Sequence, residues 1–152
     1  MAHIECRTDV DASQETVFDL LSDLHGYHRW LPVAADYEGT SEISPAPVAV
    51  GTSYVERSRS GVRRGIVTML DRPGRIAFRQ PMTLRPRLAG TIDSTVTMSV
   101  AVHGRGARVT RTVDLRLPWQ LAIVRPVVVG RYRRESERML HALKTYAERR
   151  AE

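Results

Sequence analysis

Residues 10–32 read VDASQETVFDLLSDLHGYHRWLP, and this stretch decides the fold. Ser13 is placed to cap a helix, Glu15 complements the dipole in its first turn, and Val17, Leu20, Leu21 and Leu24 recur at helical spacing. The helix therefore has one apolar face. Gly26 is expected to close it as a C′ glycine, and Tyr27, Trp30 and Leu31 follow before Pro32 prevents continuation. An amphipathic helix directly after a strand, ending in an aromatic-rich turn, predicts a pocket beside that turn.

Outward from this stretch, the middle of the chain alternates in short segments punctuated by Gly, Pro, Ser and Asp, the pattern of an antiparallel sheet. Strands are expected over 36–43, 52–60, 62–70, 75–80, 91–102 and 107–117, joined by turns at 44–51, 60–61, 71–74, 81–90 and 103–106. The 81–90 segment, with two prolines and little alternation, is a candidate pocket mouth. At the C-terminal end Val128, Tyr132, Met139, Leu143 and Tyr146 recur at three- or four-residue spacing, which predicts one amphipathic helix over 127–150, about 36 Å long at 1.5 Å per residue. Pro126 marks its start or a kink, and residues 119–124 form a short helical turn or an extended lead-in.

The run VFDLLSDLHGYHRWLP resembles the opening of the START-like (SRPBCC) polyketide cyclase/dehydrase proteins. Their helix-grip fold is shared with birch-pollen-allergen-like lipid binders. The resemblance implies an α+β fold over residues 1–152 as a single START-like domain. In it a curved antiparallel sheet wraps around a long C-terminal helix, with two short helices after the first strand. Two positions depart from the pattern. His28 stands where such proteins often carry a proline, and Met69, in GIVTMLD, stands where aromatase/cyclases tend to place an arginine.

Length and composition agree with this picture. A chain of 152 residues suits one domain with a substantial core. No run of about 18 apolar residues is present and the N-terminus lacks a signal-peptide pattern, so a cytoplasmic protein without stable membrane insertion is expected. The single cysteine, Cys6, shares a strand face with Ile4 and Val10 and reads as a buried, inert thiol. The formal charge is +6, with 22 arginines and one lysine, Lys144. From residue 125 to 152 there are eight basic and four acidic residues, which reads as a solvated helix face. No zinc-finger spacing, RNA-binding aromatic signature or helix-turn-helix accompanies the charge, so nucleic acid is not an expected partner.

Period-two alternation assigns strand faces. In the last strand Val109, Val113, Leu115 and Leu117 point inward and Arg111 interrupts them; in the strand before it, Ile92, Val96, Met98, Val100 and Val102 are interrupted by Ser94. By the same test Ile66 and Leu70 place Arg64 inward, and Ile76 and Phe78 place Gln80 inward. If Tyr54 faces the interior then Glu56 does too, although Val55 competes for that face. An inward set of Glu56, Arg64, Gln80, Ser94 and Arg111 needs compensation, because unpaired buried charge costs several kcal/mol. Either Glu56 pairs with Arg64 or Arg111, or a hydrated cavity uses these groups to orient a ligand.

No GxGxxG, Walker, HExxH or GxSxG motif is present. His25 and His28 lack supporting ligands for a metal, and no metal or cofactor is expected. Two function classes remain. In the first, a small hydrophobic molecule such as a polyketide, lipid, isoprenoid or quinone binds between sheet and C-terminal helix, with Trp30, Tyr37 and Tyr54 supplying apolar surface and Gln80, Ser94 and Arg111 supplying polar contacts. In the second, implied by the resemblance, the same cavity folds a poly-β-keto chain. Arg64 or Arg111 then stabilises the enolate and Glu56 or a tyrosine moves protons, with an acyl carrier protein as partner. A third reading is a partner-binding protein that uses the basic C-terminal face, as some coenzyme-Q-binding relatives are thought to do.

Overall fold

In the computed structural model, which describes Met1–Ala151, the opening stretch folds as a strand followed by two short helices. Strand β1 (Ala2–Val10) leads into α1 (Gln14–Ser22), where Ser13 Oγ accepts from the Thr16 amide at 3.1 Å as the expected N-cap. Val17, Phe18 and Leu21 of α1 are fully buried, each contributing about 1.5–3 kcal/mol relative to exposure. The end of this helix differs from the expectation. It closes at Ser22 with Asp23 as C-cap, and Leu24 and Gly26 belong to a 3₁₀ helix, Leu24–Arg29. Gly26 has no left-handed backbone. What it supplies is room, since a Cβ there would stand 2.4 Å from the Asp23 carboxylate.

Seven further strands follow: β2 (Thr40–Ser41), β3 (Ser53–Ser58), β4 (Gly61–Asp71), β5 (Arg75–Arg79), β6 (Met82–Leu84), β7 (Thr91–His103) and β8 (Gly106–Arg116). They form one antiparallel, curved sheet in the order β1-β8-β7-β5-β4-β3-β2, with β6 pairing both β4 and β7. The expected strand over 36–43 shrinks to β2, with Tyr37 held by an isolated bridge to Ala34. The supposed loop over 81–90 carries β6 and a 3₁₀ turn, Arg87–Ala89. A second 3₁₀ turn, Trp119–Leu121, precedes α2 (Arg125–Ala151), and Pro126 sits at the helix start, where its missing amide is harmless.

Helix α2 lies across the concave face, burying Tyr132, Ser136, Met139, Leu140, Leu143 and Ala147. Its C-terminal half is pinned. Lys144 Nζ donates to the Asp9 carbonyl at 2.7 Å, Glu148 Oε2 accepts from the Asp11 amide at 2.9 Å, and Arg138 Nη1 donates to the Pro32 carbonyl at 2.9 Å. Its N-terminal half is held by Arg125 Nη2, which donates to the Met1 carbonyl at 2.7 Å, and by the Tyr132 hydroxyl, which donates to Met82 Sδ at 3.8 Å. Between these two ties the molecule is open at one end.

Candidate functional site

Strands β3, β4, β5 and β8 and helix α2 send polar side chains into the space between sheet and helix. Cross-strand packing sets their places. Tyr54 of β3 lies opposite Gly65 of β4, where a Cβ would stand 2.1 Å from its Cζ, so the glycine makes room for the ring. Gln80 Nε2 donates to the Tyr54 hydroxyl, and Phe78 meets the ring edge-on at 5.8 Å. These groups, with Leu24, Tyr37, Glu56, Arg111, Glu135 and Met139, surround a void of about 20 Å³. It is large enough for one water.

Beside this void is an ionic cluster. Arg63 makes a bidentate pair with Glu135, Nη1 to Oε1 at 2.6 Å and Nη2 to Oε2 at 2.8 Å, and Nη1 also lies 3.7 Å from Glu56 Oε1. Tyr132 stacks its ring 5.0 Å from the same guanidinium. The side chains of Arg63, Glu56 and Glu135 are only 7%, 11% and 12% exposed. Burial pushes the Glu135 carboxyl up, but the Arg63 charge and its two hydrogen bonds outweigh burial and hold it below the usual range. Glu56 goes the other way. Its burial, aided by the Glu135 charge, exceeds the pull of the more distant Arg63 and raises its carboxyl. Thr40 Oγ1 donates to Glu56 at 3.0 Å and therefore accepts from the Tyr37 hydroxyl at 2.6 Å. Burial pushes Tyr37 up to about 12 and Tyr54 higher still. Both phenols are proton donors at neutral pH.

Arg111 is buried with no carboxylate in reach. Its Nε donates to Ser136 Oγ at 3.1 Å and its Nη1 to Met139 Sδ at 2.9 Å. On the far side of the Arg63–Glu135 pair a groove of about 470 Å³ opens between β6, β7 and the N-terminal half of α2. Met82, Leu84, Ile92, Leu121, Val124 and Val128 wall it, and Arg63, Tyr132 and Glu135 lie along it. The pair thus stands between a roomy apolar groove and a nearly filled polar interior. Among the described residues Arg63 Nε is buried without a partner.

Residues 1–148 match the family described as polyketide cyclase / dehydrase and lipid transport. The chain belongs to this family. Solved structures similar to this polyketide cyclase/dehydrase family member include protein MLL2253 from Mesorhizobium loti (TM-score 0.75, 15% identity, covering 97% of this chain and 98% of that one). Norcoclaurine synthase from Thalictrum flavum, a point mutant in complex with a transition-state analogue, is similar at TM-score 0.74 and 16% identity over 99% and 96%. The di-domain ARO/CYC BexL from the BE-7585A biosynthetic pathway is similar at TM-score 0.73 and 15% identity, covering 97% of this chain and 50% of that one. At these identities the likeness is one of fold, the helix-grip arrangement. No curated protein matches the sequence significantly.

The structure of this family member brings Tyr37, Tyr54, Glu56, Gln80 and Arg111 around the small void; alternation points to Gln80 and Arg111 and, with Val55 competing, to Tyr54 and Glu56, but not to Tyr37. It does not bring Arg64 there. Arg64 is exposed, and Arg63 takes the inward place. The cause is a bulge between Val67 and Met69, which shifts the phase so that Leu70 shares a face with Arg63 and Val67 while Ile66 turns out, 40% exposed. The same bulge leaves Met69 facing solvent. Trp30 is buried but lines a different recess, about 320 Å³, beside α1, where its Nε1 lacks a partner. The Ser94 hydroxyl donates to the Gln80 carbonyl at 2.8 Å and borders neither the void nor the groove. Cys6 is half-buried, and burial raises its thiol. Arg63, Thr40 and Glu135 are the residues that strand alternation alone misses. Glu135 had a signal, since it fills the three- and four-residue gaps between Tyr132 and Met139 in the helix stripe.

Proposed function

We propose that this chain binds a small hydrophobic molecule of the polyketide, lipid, isoprenoid or quinone kind in the groove between sheet and α2. The observation that carries this reading is an apolar groove of about 470 Å³ ending on a buried Arg63–Glu135 pair. Sites for small ligands commonly combine such apolar walls with a few fixed polar groups. In this reading the apolar body lies against Met82, Leu84, Ile92 and Val128, and a carbonyl or hydroxyl meets Tyr132 and the Arg63–Glu135 pair. Tyr37, Tyr54, Gln80 and Arg111 come into contact only if the pair parts and admits the ligand further in. Trp30 and Ser94 are not part of the proposed contact set. A cytoplasmic location belongs to the same proposal, as a chain with one cysteine needs no oxidising compartment to fold.

Native mass spectrometry of protein purified from cells, together with titration of a lipophilic fluorophore, tests the reading. A co-purified small molecule, or saturable fluorophore binding weakened by Ile92→Gln, is expected. Protein that is ligand-free and gives no saturable signal refutes it.

A second reading has its own support. Glu56, with its raised carboxyl, faces the void beside Arg111 and is linked through Thr40 to Tyr37, a set suited to acid–base chemistry on a ligand that reaches past the pair. That reading makes the chain a cyclase or dehydratase and brings an acyl carrier protein as its partner.

A further inference from the structure

The groove mouth has two properties that the ligand-binding reading does not use. Its rim projects large apolar side chains into solvent: Leu88 is 87% exposed, Trp119 84% and Ile123 95%. The two 3₁₀ turns that carry Leu88 and Trp119 touch, through Gln120 Nε2 donating to the Leu88 carbonyl at 3.3 Å and Pro118 packing on Gly90. These side chains therefore belong to one rim, and Val127, 57% exposed, continues it along α2.

The second property is charge. Residues 84–92 and 115–134, which build this rim and the start of α2, contain seven arginines and no aspartate or glutamate, in a chain of net charge +6. The acidic groups nearest them are Asp36 and Glu135 in the groove, the latter paired with Arg63, and Asp93, paired with Arg79 and opposite Arg116. Arg59, Arg85 and Arg131 border the groove, and their guanidiniums make no ion pair or hydrogen bond among the described residues.

We propose that this rim docks reversibly on a membrane leaflet containing anionic lipids, with Trp119, Ile123 and Leu88 entering the headgroup boundary and the arginines holding lipid phosphates. Projecting apolar tips within a ring of arginines suit an interface that is apolar below and anionic above. A nucleic acid would use the charge and leave the aliphatic tips in water. The contact is peripheral, as no helix among the described residues is long and apolar enough to cross a membrane. With the groove opening onto the leaflet, a hydrophobic ligand would pass between the two without crossing water. Only that last step rests on the ligand-binding reading.

Vesicle flotation with the full chain tests the docking. Phosphatidylcholine vesicles containing phosphatidylserine should bind at least about tenfold more tightly than phosphatidylcholine alone, and added salt should weaken the binding. Trp119→Ser with Ile123→Ser, and separately Arg85→Gln with Arg87→Gln, should each lower binding about tenfold or more while the thermal melt stays unchanged, since all four side chains are exposed. Brominated lipids should quench the exposed Trp119 and spare the buried Trp30. Absence of binding to the anionic vesicles overturns the proposal. So does binding that the arginine changes abolish but the Trp119 and Ile123 changes leave intact, which marks a general polyanion surface such as one for nucleic acid. Fluorophore binding by the native chain without vesicles separates the two readings: its absence refutes the ligand site and leaves the docking standing.

Discussion

Arg63→Met removes the one cation that holds two buried carboxylates together. In the native protein Glu135 takes both outer nitrogens of Arg63, and Glu56 lies 3.7 Å from the nearer one. Methionine keeps most of the stem volume and takes away the charge. Breaking a buried pair by deleting one partner costs about 3–5 kcal/mol, most of it the penalty on the charge left behind. For a chain of this size that corresponds to a fall in Tm of about 10–15 °C. The pH dependence has a definite sign. Native Glu135 is held below the usual range, so its contribution is present above the ordinary glutamate range and lost as pH falls through its lowered value. In Arg63→Met burial raises both carboxyls against only the weaker pull of Arg111, with the Thr40 hydrogen bond on Glu56 and Arg138 on Glu135, so the penalty is greatest at about pH 7 and shrinks as acid protonates them. Urea denaturation at about pH 7 and about pH 5 measures both states. The variant should be far less stable than the native protein at the higher pH, and the gap should narrow at the lower, where its carboxyls protonate while native Glu135 still holds its charge. Replacing both partners, Arg63→Met with Glu135→Leu, should recover most of the loss. A deficit under about 1 kcal/mol at pH 7, or one equal at both pH values, refutes a dry ion pair at this place.

Arg111→Met should hold or raise Tm in a thermal melt, because Arg111 bonds only to Ser136 and methionine sulfurs. If a ligand reaches the inner void, its affinity should fall about tenfold in a fluorophore titration, the loss of one charge-assisted bond. Glu56→Gln should lower turnover about 10²–10⁴-fold if the chain is a cyclase or dehydratase, assayed on poly-β-ketone and β-hydroxy thioesters; unchanged turnover removes Glu56 from the chemistry. Gly65→Ala should cost about 1–3 kcal/mol in urea denaturation, because the new methyl meets the Tyr54 ring. Arg64→Gln, on the exposed face, should stay within about 0.5 kcal/mol of the native protein.

Much of the fold was legible in local patterns. The Ser13 cap, the apolar spacing of α1 and the helix stripe from Val128 to Tyr146 are set by neighbours three or four residues away; the structure keeps the cap, buries Val17 and Leu21 of α1 and Tyr132, Met139 and Leu143 of α2, and leaves Leu20, Val128 and Tyr146 partly buried. Strands β7 and β8 alternate over most of their length, so Ser94 and Arg111 were assigned to the buried face, as was Gln80 just after β5; the alternation ends at Val102, expected inward and 69% exposed, and β5 buries Ile76, Ala77 and Phe78 together. The site was less legible. Alternation across β4 fails because one extra residue between Val67 and Met69 inverts the phase, and which residue bulges depends on the partner strand β5. Trp30 reads as a pocket aromatic in sequence, yet the 3₁₀ helix Leu24–Arg29 turns it toward the recess beside α1.

By itself, then, the sequence determined the order of helices and strands and the inward faces of its regular strands, because each depends on short-range periodicity, while the run VFDLLSDLHGYHRWLP pointed by resemblance to the helix-grip family to which the chain belongs. Only the tertiary structure decided that Arg63 pairs with Glu135, that the polar interior is nearly closed while the roomy space lies outside it, and that Leu88, Trp119 and Ile123 stand exposed. Arg63 and Glu135 are 72 residues apart, and no local pattern carries the distance between side chains that meet only when sheet and helix close on each other.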